Sequence, residues 1–93
     1  MLAIARALMG NPELMLVDEP TEGLAPAMVQ AVADLLRSVA ARGVAVLLVE
    51  QKPAMAQAVS DRVCLLGGGC VQFAGTAAAL RERADLRGQW LEI

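Results

Sequence analysis

The chain has 93 residues, 57% of them apolar, with a net charge of −2, no His, no Tyr, one Phe and one Trp. That length holds one small domain or a piece of one, and burial of roughly 60–65% of the unfolded surface leaves only a thin core. The charge gives no general attraction to a polyanion, which argues against nucleic-acid binding, and two cysteines without His fit neither a disulfide framework nor a zinc site.

Leu2 to Met9 carries apolar residues at 2, 4, 5, 8 and 9, a helical stripe that Gly10 is placed to end. The same opening does not read as a signal peptide. It lacks a leading basic region, Arg6 interrupts the apolar stretch, and Gly10-Asn11-Pro12 follows where a small-residue cleavage site belongs. A cytosolic chain is therefore expected, with structural roles for Arg6 and Asn11. Glu13 to Asp18 forms the first strand. A longer helix begins near Pro26, which suits a first turn, and stops before Gly43. Met28, Val32, Leu35, Leu36 and Val39 recur along it at spacings of three and four and make one apolar face.

Val44 to Val49 is the second strand, apolar at every position and so expected to be buried on both faces. It is far shorter than the roughly 20 residues of a membrane span. A short helix over Pro53 to Val59, a strand at Arg62 to Leu66, a turn at Gly67-Gly68-Gly69 and a strand at Cys70 to Ala74 follow, the last three forming a hairpin. Thr76 caps a final helix through about Arg83. Arg81, Arg83 and Arg87 alternate with Glu82 and Asp85 as a solvated face. Cys64 and Cys70 are expected to be small buried hydrophobes.

Strand, helix, strand at this spacing is a βαβ unit with parallel strands and a right-handed crossover. Strands buried on both faces need helices above and below and neighbours at their edges. The helices available cannot supply that cover. The chain thus reads as a single partial α/β domain over residues 1–93, marginal or aggregation-prone by itself.

The chemistry concentrates at Asp18-Glu19-Pro20, where four apolar residues, Leu14 to Val17, run into two acids and Pro20 stops the strand. Acids after strands are common loop residues, so the pair alone is a weak signal. Its context is stronger, because the second strand ends in Glu50-Gln51, and parallel strands deliver both pairs to the carboxyl edge where open α/β folds bind ligands. There Asp18 suits the shell of a metal held beside phosphates. Glu19 suits orientation and deprotonation of an attacking water. Gln51 can hydrogen-bond that water or a terminal phosphate oxygen, and as a neutral amide it shuttles no proton.

Asp18-Glu19-Pro20-Thr21 followed by Gly23-Leu24 resembles the Walker B and D-loop region of ABC-type ATPases. Leu2 to Leu8 is similar to the helix after their signature motif. Glu22 to Pro26 and Leu48 to Gln51 narrow the likeness to the ATP-binding subunit of branched-chain amino acid importers and the related urea or short-chain amide importers. The resemblance runs through essentially the whole chain. It implies a partial P-loop NTPase domain with parallel strands, βα crossovers, and a C-terminal hairpin and helix. It also implies Asp18 as the Mg²⁺-associated, nucleotide-binding carboxylate, Glu19 as catalytic base, and Gln51 where most relatives have a switch histidine. Glu22, Gly23, Leu24 and Ala25 would form the loop that crosses to a second ATP-binding subunit. Ala25 stands where many relatives carry an Asp, so no side-chain bond is expected from it.

By the same resemblance, ATP and Mg²⁺ are the cofactors of the complete subunit. Membrane permease subunits are partners, the transported solute is not touched, and the subunit lies peripherally on the inner face of the plasma membrane. The glycine-rich phosphate loop, the Q-loop and the signature motif are absent. Gly67–Gly69 lacks the G-x-x-x-x-G-K-S/T spacing and cannot substitute. The chain alone is therefore expected to be inactive, and a non-catalytic chain that only pairs with intact ATPase subunits is the alternative. The ATPase head of a DNA-repair or chromosome-structure protein is disfavoured by the charge and by Glu50-Gln51.

Overall fold

The computed structural model describes residues 2–91. In chain order the elements are α1 (Leu2–Leu8), β1 (Leu14–Asp18), α2 (Pro26–Ala41), β2 (Ala45–Val49), α3 (Pro53–Val59), β3 (Arg62–Gly67), β4 (Cys70–Thr76), α4 (Ala77–Arg81) and α5 (Ala84–Leu86), then a π-helical turn over Arg87–Leu91. β1 and β2 pair in parallel, Leu14 opposite Ala45 through Asp18 opposite Val49. β3 and β4 form a separate antiparallel hairpin with an irregularity between Leu65 and Leu66. Gly68 and Gly69 both take positive φ, 59° and 80°, which a two-residue turn matched to strand twist requires.

α2 begins with Pro26 at its first turn and closes at Gly43, whose φ of 91° turns the chain into β2. Val32, Ala33, Leu36 and Val39 are buried on one face of this helix and join Met15 and Val17 of β1, Ile4 of α1 and Met55 of α3 in the core. Each fully buried aliphatic side chain there contributes about 1.5–3 kcal/mol. Met28, expected on that face, is 43% exposed because it lies in the first turn, beyond the end of the core. Ala77, Leu80 and Leu86 are the buried apolar residues of the C-terminal elements that follow the hairpin.

The expectation that the strands are buried on both faces is corrected. β1 alternates exposed and buried, with Met15 and Val17 inside and Leu14 and Leu16 outside, and β2 likewise leaves Leu47 and Val49 outside. The reason is that the side chains of α1, α2 and α3 in the core pack on Met15 and Val17 at one face of the pair, while among the described residues the other face is left largely exposed. Four large aliphatic side chains therefore stand on a bare sheet face.

Two further corrections concern the hairpin and the C-terminal elements. Thr76 caps as expected, its hydroxyl accepting the Ala79 N–H at 3.1 Å, but the helix stops at Arg81 and a second short helix and the π-helical turn follow. That turn carries Trp90 onto Gly67, where a Cβ would lie 2.6 Å from Trp90 Cζ3. Cys64 and Cys70 are both exposed free thiols, because both fall on solvent-facing positions of the hairpin.

Candidate functional site

The parallel pairing delivers the ends of β1 and β2 to one edge. The ladder continues one step past β1, where the Glu19 N–H donates to the Val49 carbonyl at 2.7 Å. Asp18 is exposed at the strand end, opposite Val49 and on the same side as the bare Leu14 and Leu16. The chain then turns sharply. Glu19 has φ 46°, a left-handed conformation that non-glycine residues adopt rarely and that recurs at functional turns. Two overlapping turns follow, with Glu22 N–H donating to Glu19 O at 3.3 Å and Leu24 N–H to Thr21 O at 3.1 Å. Gly23, at φ 75°, meets the positive backbone angle of this loop without a side chain to strain it.

Glu19 is half-buried, and its carboxyl is held above its ordinary range. The Glu22 carboxyl, within hydrogen-bonding reach, is the main cause; some desolvation and the charges of Asp18 and Glu50 add to it. Like charges close by disfavour the ionised form of Glu19, which gives its carboxyl a higher proton affinity than that of an isolated Glu. Gln51 lies at the same edge, but among the described residues it enters the hydrogen bonding through its backbone alone, its N–H donating to Glu50 Oε1 at 3.1 Å. Gln51 also lines a cleft of about 80 Å³ beside α3 and the hairpin, together with Pro53, Gln57, Val63 and Leu80. A larger cleft of about 260 Å³ lies between α1 and β1, apolar except for Asp18 at its rim.

Two residues to which the sequence motifs gave no role of their own, Thr21 and Glu50, tie this edge together. The Thr21 hydroxyl, fully buried, donates to Glu50 Oε2 at 2.7 Å. Glu50 also accepts from the backbone of Gln51 and Lys52. An acid placed just before the Pro53 helix start was the available signal for its backbone bonds. Nothing local announced its partner 29 residues earlier. Of the loop expected to cross to a partner, Glu22, Gly23 and Ala25 are exposed, while Leu24 is half-buried against the core. No group of three or more His, Cys, Asp or Glu among the described residues is arranged to hold a metal ion, and no described helix is long and apolar enough to cross a membrane.

A βαβ unit that presents its acids at the carboxyl edge of parallel strands belongs to the α/β class in which ligands sit at that edge. No family model matches the chain. The branched-chain amino acid transport ATP-binding protein BraG of Pseudomonas aeruginosa is 41% identical over 91 residues, which are 98% of this chain and 39% of that protein. A probable anion import ATP-binding protein of Haloferax volcanii is 39% identical over 92% of this chain and 30% of its own length. The doxorubicin resistance ATP-binding protein DrrA of Mycobacterium tuberculosis is 42% identical over 87% of this chain and 24% of its own length. Over nearly its whole length the chain is a relative of ABC transporter ATP-binding proteins and corresponds to part of their P-loop NTPase domain. It spans between about a quarter and two fifths of the lengths of these relatives.

Proposed function

We propose that the chain is the C-terminal part of an ATP-hydrolysing subunit of an ABC importer, and that Asp18, Glu19 and Gln51 serve its catalytic edge. The observation that carries this reading is the juxtaposition of Asp18-Glu19 at the end of β1 with Glu50-Gln51 at the end of β2, fixed by the bond from Glu19 N–H to Val49 O. Mg²⁺ typically takes one or two carboxylates together with waters and phosphate oxygens. Asp18 is exposed and belongs to no group of three or more metal-ligating side chains among the described residues, which suits a cation that arrives with its nucleotide. When bound, Mg²⁺·ATP supplies the phosphoryl group and the cation that neutralises its charge.

Glu19 orients the attacking water and accepts its proton, and the crowding by Glu22 strengthens it as a base. Gln51 hydrogen-bonds the water or a terminal phosphate oxygen. Residues 22–25 form the loop that reaches a second ATP-binding subunit, which the exposure of Glu22, Gly23 and Ala25 permits. The sequence holds no phosphate-cradling loop, and phosphoryl transfer depends mostly on positioning and electrostatics. Residues 1–93 alone are therefore expected to hydrolyse no ATP. Permease subunits at the membrane are the further partners, and branched-chain amino acid uptake is the favoured transport. The name of the Pseudomonas relative supports that solute, as do Glu22–Pro26 and Leu48–Gln51.

The test is Glu19→Gln in a complete subunit that carries this segment. Turnover should fall by about 10²–10⁴-fold, the usual worth of a general base, while ATP stays bound. Unchanged turnover would remove Glu19 as the base.

A further inference from the structure

Thr21 is the one fully buried polar side chain among the described residues. A hydroxyl with no solvent must find a partner inside the protein, and Thr21 finds it in the opposite loop, Glu50 Oε2 at 2.7 Å. The other oxygen of Glu50 accepts the N–H groups of Gln51 at 3.1 Å and Lys52 at 3.3 Å. Lys52 Nζ returns to the Thr21 carbonyl at 3.4 Å. The loops after β1 and β2 are thus joined twice beyond the end of the ladder, once between two side chains and once from the Lys52 side chain to the Thr21 carbonyl. With both oxygens engaged, Glu50 is tied to the protein and not aimed at a substrate.

We propose that Thr21 and Glu50 form a pin that fixes the loop bearing Gln51 against the loop bearing Glu19, so that both are positioning residues for ATP hydrolysis. The inference rests on the roles of Glu19 and Gln51 proposed above. Two features favour positioning over mere stabilisation. Glu19 holds a left-handed backbone conformation that persists only where its surroundings over-determine it, and Thr21 is anchored two residues further on. Gln51 has no side-chain bond of its own among the described residues, so the pull of Glu50 on the 51 and 52 amides is what sets the course of its backbone. Bonds to a carboxylate are also the strong ones, shorter and roughly twice as strong as neutral pairs.

The test compares Thr21→Val, which keeps the shape and removes the donor, with Thr21→Ser, which keeps the donor. Amide hydrogen exchange of the 93-residue chain, followed by NMR, should show Thr21→Val accelerating the Gln51 and Lys52 amides by about tenfold or more, the fold-change matching one lost charge-assisted bond. The Val39 amide in α2 should keep its rate, and Thr21→Ser should restore protection. Unchanged rates at 51 and 52, or a uniform acceleration that includes Val39, would overturn the pin. In a complete subunit, Thr21→Val should lower kcat by about 10–100-fold with little change in KM for ATP, since small misplacements of reacting groups cost on that scale. Thr21→Ser should recover kcat. A Thr21→Val enzyme with wild-type kcat beside an inactive Glu19→Gln enzyme would refute the positioning role alone. Normal turnover in Glu19→Gln would instead refute the catalytic reading on which it rests.

Discussion

Met15 and Leu16 are neighbours on β1 that point to opposite faces, and truncating each to Ala reads directly how the sheet is covered. Met15 is 4% exposed and packs with Val32, Leu36 and Val39. Its truncation should cost about 2–5 kcal/mol, the range for emptying a buried long aliphatic position. Leu16 is 69% exposed, so only about a third of its surface is withdrawn from water. At about 1.5–3 kcal/mol for full burial, its truncation should cost under about 1 kcal/mol in this chain. Urea unfolding provides the assay. With a slope of about 1–2 kcal/mol per molar for a chain of this size, Met15→Ala should lower the midpoint by about 1 M or more, and Leu16→Ala by well under that. If the rest of an ABC ATPase domain covers the bare face, Leu16→Ala should become as costly as Met15→Ala in the complete subunit. Equal losses in the isolated chain would refute the one-sided packing. An unchanged, small loss in the complete subunit would refute the idea that this face is completed there.

Replacing Leu16 and Leu47 by Lys on the same face should cost the chain no more than about 2 kcal/mol, from the partial burial lost and the repulsion of two charges directly opposite each other, and suppress self-association in sedimentation; association that persists would place the contact elsewhere. Glu22→Gln should bring the Glu19 carboxyl down toward its ordinary range in an NMR titration, since Glu22 is the main cause of its elevation. The sign follows from linkage. A carboxyl with a raised folded-state pKa stabilises the fold below its unfolded value, and that contribution is lost as pH rises through the folded value. Glu22→Gln should therefore flatten the decline in stability just above the ordinary Glu range. Gly67→Ala should cost about 1–3 kcal/mol by overpacking and shift the fluorescence of Trp90, whose ring fills the space a Cβ would need.

The elements built from local signals were legible in the sequence. The helical stripe at 32, 36 and 39, the apolar runs at 14–17 and 44–49, and the glycine turn at 67–69 each fix an element through residues close together in the chain. The parallel pairing followed from the strand–helix–strand spacing, and it put Asp18-Glu19 and Glu50-Gln51 at one edge. What was not legible depends on partners distant in sequence. An all-apolar strand looks the same whether one or both of its faces are covered, so Leu14, Leu16, Leu47 and Val49 gave no sign of their exposure. The bond from Thr21 to Glu50 spans 29 residues and has no periodic signature. The turn that brings Trp90 over Gly67 has no helical stripe of its own and was lost behind the charged run at 81–87.

The most direct measurement is ATP turnover by a hybrid subunit in which residues 2–91 replace the matching segment of the Pseudomonas aeruginosa relative, 41% identical across it. If these residues supply the catalytic edge of an ABC ATPase, the hybrid should bind ATP and hydrolyse it within about tenfold of the parent rate, a difference of about 1.4 kcal/mol in barrier. A folded hybrid that binds ATP but does not hydrolyse it would contradict that claim.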